Sequence, residues 1–158
     1  MAESMGDVFE KIKADAKKYA TAYCRGAAKE AERLLNIEAN RVLDRFYSDY
    51  TPTEYRRTYN LRNHSFTPYY SNSHNRTFTG GVVFDSANMF DYYDDHNPPR
   101  LLDGRKDIVF TSALYGGSHG GAWITSPSPM VSIERFFNLS YFMDAVDAKG
   151  LSAAEAAI

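Results

Sequence analysis

Between Ser4 and Tyr50 the chain has no proline, and apolar or small residues recur at Val8, Ile12, Ala16, Tyr19, Tyr23, Ala27, Ala31, Leu34, Val42 and Phe46. Steps of mostly three and four residues trace one helical face. At 1.5 Å per residue a continuous helix of this kind reaches about 60 Å, roughly twice the width of a small domain. Such an element either breaks, with Gly26 and Asn36 as the weak points, or packs on something outside the chain. Ala27, Ala28 and Ala31 are small enough to let a second helix approach closely, from the same chain or from a neighbouring subunit. Thr51-Pro52 ends the helix, because proline disfavours helical backbone in the residue before it.

Residues 51–128 are rich in Asn, Ser, Gly, Pro and Tyr. Ser65 to Tyr70 reads as a short extended piece, and "RTFTGGVVFD", Arg76 to Asp85, as a strand whose Gly80-Gly81 marks a bulge or a close approach by another backbone. "IVFTSA", 108–113, reads as a further strand. Between them Ser86 is a candidate N-cap for a short helix, and "NPPRLLDGRK" is a loop. From Ser128 the pattern turns helical again, with Pro129 in the first turn. Val131, Phe136, Phe137, Phe142, Met143 and Val146 make that helix apolar over much of its circumference, which predicts burial on more than one side. Lys149-Gly150 stops it, and a small-residue tail closes the chain. The expected fold is a single α+β domain over 1–158: a long N-terminal helical segment to about residue 50, a small antiparallel β-sheet in the middle (51–128), and a closing C-terminal helix with its tail.

At 158 residues the chain is long enough for one core but short for a doubly wound hydrolase sheet with its helices. Its formal charge of −2, spread evenly along the chain, argues against a general nucleic-acid binder. One cysteine, Cys24, excludes an internal disulfide framework and, set among alanines in a helical pattern, is expected to be a packed thiol. No apolar leader and no run of about 18 apolar residues is present, which predicts a soluble protein with no membrane partner. Tyr, Phe and Trp make up 15% of the residues, a composition that suits contact surfaces.

Three stretches carry candidate chemistry. Gly116 to Gly120, "GGSHG", satisfies the G-x-S-x-G pattern of a serine-hydrolase elbow. Such an elbow sits between a strand and a helix, with a carboxylate and a histidine later in the chain. After Gly120 the chain reads "GAWITSPSP", which is no helix, and no histidine lies beyond His119. Ser118 is therefore read as a residue of a glycine-rich turn. "DYYDDH" offers Asp91, Asp94, Asp95 and His96 to a hard cation. An EF-hand loop counted from Asp91 would need glycine and glutamate where His96 and Leu102 stand, so a solvated helix end is the reading and no metal is expected. His64, His74, His96 and His119 lack the spacing of a zinc pair. "YRRTYNLRNHSF" sets Arg56, Arg57 and Arg62 among Tyr55, Tyr59 and Phe66, which suits phosphate clamping or, in a slightly acidic chain, structural and interface arginines.

The order of elements, with a short stretch after the first helix, resembles the tail-completion and head–tail joining proteins of tailed bacteriophages. In that family the turn commonly reads as a proline followed by Thr-Gly-x-Leu-Arg-x-Ser. The matching run here is Pro52, Arg57, Thr58, Leu61, Arg62 and Ser65, with Tyr59 where glycine is usual. "GSHGG", Gly117 to Gly121, stands as counterpart of a late glycine signal, and Met130 to Val146 as the last helix. The resemblance implies a non-enzymatic virion protein, assembled in the host cytoplasm. It would form a ring with itself, as a hexamer or dodecamer, and contact other neck and tail proteins and DNA passing through the lumen, without cofactors. Arg56, Arg57, Tyr59, Leu61, Arg62, Tyr115, His119 and Trp123 are its interface candidates. A small serine hydrolase using the GGSHG loop and a DNA-binding or regulatory module are the rival expectations.

Overall fold

The computed structural model describes residues 4–49, 59–73, 77–93, 98–116, 118–119, 122–123 and 128–158, with only the backbone described for Ser118, His119, Ala122 and Trp123. In chain order the elements are α1 (Met5–Ser48), α2 (Asn60–His64), β1 (Phe66–Asn72), β2 (Phe78–Phe84), α3 (Arg105–Leu114), β3 (Ser118–His119), β4 (Ala122–Trp123), α4 (Pro129–Phe137) and α5 (Ser140–Glu155). The fold is α+β: a long N-terminal helix, a two-stranded antiparallel sheet in the middle, and C-terminal helices. Two compact units divide it. The first joins the chain up to Leu34, the hairpin segment Tyr69–Gly81 and Leu139–Ile158; the second joins Leu35–Pro68 and Val82–Asn138.

Helix α1 does not break at Gly26 or Asn36. It opens on a reciprocal cap: the Asp7 N–H donates to Ser4 Oγ at 3.2 Å, while the Ser4 hydroxyl and N–H donate to Asp7 Oδ2 at 2.7 and 3.2 Å. Those hydrogen bonds hold the Asp7 carboxyl below its ordinary pKa.

In the first unit, packing depends on missing side chains. A Cβ on Gly26 would stand 2.6 Å from the Ala153 Cβ and 3.0 Å from the Lys149 carbonyl oxygen, so α1 and α5 touch nearly backbone to backbone. Gly150 is under the Tyr23 ring, whose nearest carbon would be 2.8 Å from an added Cβ. The Tyr23 hydroxyl donates to the Asp147 carboxylate, which raises the tyrosine pKa. On β2, a Cβ on Gly80 would collide with the Ala28 carbonyl oxygen at 1.8 Å, the close backbone approach its sequence suggests. Arg25 lies over the Phe78 ring and Lys29 over the Tyr70 ring, 5.8 and 5.6 Å from the centroids.

The second unit has a conventional apolar core. Leu43, Phe46, Leu61, Met89, Ala113 and Leu114 form one cluster, and Ala39, Val42 and Ile133 a second. Phe66 of β1, Phe84 of β2 and Met130 of α4 pack on both clusters, with the two phenyl rings 5.7 Å apart. Leu43, Leu61 and Leu114 are essentially fully buried, each contributing about 1.5–3 kcal/mol relative to exposure.

Several expectations are corrected. Residues 108–113 are not a strand but most of α3, because Val109 with Ala113 and Phe110 with Leu114, each four apart, bring one helical face onto the core. Ser86 caps no helix; its carbonyl accepts from the Met89 N–H in a turn. The closing helix is two helices. Asn138 ends α4, its side-chain amide donating back to the Glu134 carbonyl, and an extended Leu139 precedes α5. Gly150 stops nothing and lies inside α5. Cys24 is exposed, not packed. The broad apolar surface of the closing segment is only partly covered: Ile133 and Phe142 are buried, whereas Phe137, Leu139, Tyr141 and Met143 are exposed.

Candidate assembly interface

The turn after α1 is a structural corner of the second unit. Tyr59 adopts a left-handed backbone with φ 54°, and its ring stacks at 4.9 Å on Tyr47. The buried Asn60 side chain donates to the Phe90 carbonyl and accepts from the Phe90 N–H, both at 2.9 Å. Leu61, an expected interface residue, is 2% exposed and belongs to the core; its place at the first turn of α2 points it inward. Arg62 donates to both Asp44 oxygens, and the guanidinium holds the Asp44 carboxyl below the usual carboxylate range. The His64 ring lies 4.3 Å from that of Phe90. Ser65 donates its N–H to the Leu61 carbonyl and accepts from the Asp85 N–H, fastening α2 to the end of β2. Arg62 is thus engaged within the chain, with its side chain 34% exposed, and Tyr59 keeps an exposed face. Tyr55, Arg56 and Arg57 lie outside the described residues.

Tyr115 caps α3, is half exposed and meets Phe110 edge-on. β3 and β4 pair antiparallel, Ser118 opposite Trp123 and His119 opposite Ala122. Ser118 therefore comes after a helix and lies in a two-residue strand, the reverse of the strand–serine–helix order that exposes an elbow nucleophile. Asp91 forms an ion pair with Lys106 at 3.3 Å, while Asp94, Asp95 and His96 lie outside the described residues. Among the described residues no group of three or more His, Cys, Asp or Glu is placed to hold a metal, and no helix is long and apolar enough to cross a membrane.

Two other surfaces have the character of contact sites. Every residue from Ser4 to Lys18 is exposed. On that stretch Met5, Val8, Phe9 and Ile12 have the i, i+3, i+4, i+7 spacing of one face, and Met5, Phe9 and Ile12 are 78, 68 and 60% exposed. The second is an apolar groove in the second unit, about 240 Å³ in volume, lined by Leu35, Val82, Phe84, Met130, Ile133 and Phe137, with Glu134 and Asn138 at its polar side. Periodicity picks out Val8 and Ile12 as a helical face but cannot tell that they stay exposed among the described residues. The groove joins residues as much as a hundred positions apart, and its only sequence signal is the excess breadth of the apolar face on α4.

No protein-family model, no curated protein and no solved structure matches the chain.

Proposed function

We propose that this chain is a structural subunit that assembles with copies of itself, at the neck or tail end of a tailed bacteriophage particle, in a ring that joins the tail tube to the head. The observation that carries this reading is the start of α1: a helix capped at Ser4, uncovered over four turns, with four apolar side chains aligned on one face. Helices in water are held mainly by packing of such a face. A face of this kind left bare by the described residues of its own chain is a surface for another.

The turn after α1 supports the more specific part. Tyr59 stands where the corresponding turn of the neck proteins usually has glycine, and it adopts the left-handed backbone that favours glycine. The matching leucine and arginine positions are occupied by a core residue and an ion pair, and Ser65, one place beyond the serine of that pattern, is a buried corner held by its backbone hydrogen bonds. Motif positions with those duties are what a structural turn requires.

Immunogold electron microscopy of purified tailed particles, with antibody against this chain, tests the proposal. Label confined to the head–tail junction or the tail end is the expected result. Absence of label where other minor tail proteins are detected would overturn it.

A further inference from the structure

We infer that the first turns of α1 from one copy dock into the apolar groove of a second copy, with Phe9 and Ile12 entering between Val82 and Phe84 on one side and Met130, Ile133 and Phe137 on the other. The inference rests on the proposed self-assembly and adds to it which two surfaces meet. The stripe has the anchor spacing by which an amphipathic helix lies in an apolar groove. The groove has the matching capacity. Its volume of about 240 Å³ exceeds the roughly 150 Å³ of an apolar cavity that holds a benzene ring, so a phenyl ring and an aliphatic side chain fit together.

Charge agrees with this pairing. Lys11 adjoins Ile12 and Glu134 adjoins Ile133, and neither forms an ion pair among the described residues. A helix lying in the groove brings an ammonium to a rim that offers a carboxylate.

Pairing of the stripe with the same stripe of a second copy is the main competitor, and the sequence opposes it. A seam through Met5, Val8 and Ile12 continues at the next heptad position to Asp15, an exposed carboxylate that a parallel pair would bury against its own copy. A seam through Phe9 and Ile12 instead continues to the small Ala16 and the half-buried Tyr19, so the large, well-exposed apolar side chains of the stripe end at Ile12, the length of an anchor. Because stripe and groove are different surfaces, each copy can give one and receive one. That heterologous contact propagates, closing into a ring where the rotation between copies allows.

The test uses the full chain with Cys24→Ser, which removes the exposed native thiol. Ile12→Cys and Phe137→Cys are introduced on separate chains, mixed and oxidised. A mixed disulfide dimer that neither variant forms alone is the expected result. Dimerisation of Ile12→Cys by itself would mean that stripes pair with each other. A disulfide within one chain, seen as an oxidised monomer when both substitutions share a chain, would mean that the groove takes its own helix. Either result overturns the inference.

Sedimentation of the unmodified chain and of a Phe9→Glu/Ile12→Glu variant supplies the second arm. Both substitutions fall on exposed positions, so folding is retained and checked by circular dichroism. Self-association at least about tenfold weaker is expected. Undiminished association of the variant would refute the docking and leave self-assembly standing, whereas an unmodified chain that stays monomeric up to the highest concentration reached removes both. Mixing the stripe variant with a Phe137→Glu groove variant gives a dimer and nothing larger if the contact is heterologous; full-size assemblies would refute it.

Discussion

Gly80→Ala puts the contact between the hairpin and α1 to a quantitative test. The added methyl would meet the Ala28 carbonyl oxygen at 1.8 Å and its carbon at 2.7 Å, against a practical floor of 3.0 Å, so strand or helix must yield by about 1.2 Å. Both atoms are backbone in the middle of a helix, and neither can rotate aside as a side chain would. Overpacking of this kind costs about 3 kcal/mol, at the upper end of the usual range. Reduced freedom of the unfolded chain returns about 0.5 kcal/mol. The net loss of about 2.5 kcal/mol corresponds to a fall in Tm of about 5–10 °C for a chain of this size. Urea unfolding monitored by circular dichroism, at one fixed protein concentration because association shifts apparent stability, should show a lower midpoint with an unchanged slope. Gly6→Ala is the control: the nearest atom to its methyl is Ser4 Oγ at 3.6 Å, an ordinary contact, and the variant should equal or slightly exceed the parent. If Gly80→Ala stays within about 0.5 kcal/mol of the parent, β2 does not run against the α1 backbone and the predicted clash is refuted.

Three further measurements have outcomes set by the structure. Asn60→Ala removes two hydrogen bonds and leaves the Phe90 N–H and carbonyl without that partner, so urea unfolding should show a loss of about 2 kcal/mol. The Asp44 carboxyl, its pKa lowered by the Arg62 hydrogen bond, adds stability that is fully present above the unfolded pKa of about 3.9 and lost as pH falls through the lower folded value. Because the pair is largely exposed, the acid-sensitive part is under about 1 kcal/mol. Asp44→Asn should flatten that limb of the stability–pH curve and leave its course above about pH 5 parallel to the parent. Cys24, being exposed, should react with a maleimide as readily in native buffer as in denaturant; protection that disappears only on unfolding would contradict its position.

The sequence and the structure agree best where a local rule meets no competitor. Ser128 caps α4 with Pro129 in the first turn, β1 and β2 fall where the extended patterns lie, and α1 keeps to its periodicity throughout. Residues 108–113 misled because the short apolar run Ile108-Val109-Phe110 satisfies strand and helix templates alike. Only the position of the core, which receives Val109, Phe110, Ala113 and Leu114 from one side, selects the helix. Gly150 misled for a related reason. Glycine after lysine at the end of a helical pattern is a stop signal, yet here its missing side chain makes room for Tyr23, a residue more than a hundred positions away. Of the interface candidates, Leu61 and Arg62 proved to serve the turn itself, since apolarity and charge mark a residue as engaged without saying with what. The groove was illegible, being built from α1, β2 and α4 at once.

Tyr59 gives the turn after α1 an unusual tolerance to exchange. Its left-handed backbone costs any residue with a side chain roughly 1–2 kcal/mol, and its ring recovers about 0.5–1.5 kcal/mol on Tyr47. Glycine would forgo both terms and end close to where tyrosine stands. Valine or isoleucine would keep the strain, lose the stacking and add crowding at Cβ. Exchange between tyrosine and glycine at this position therefore costs the fold little, while the β-branched residues of intermediate size cost it most.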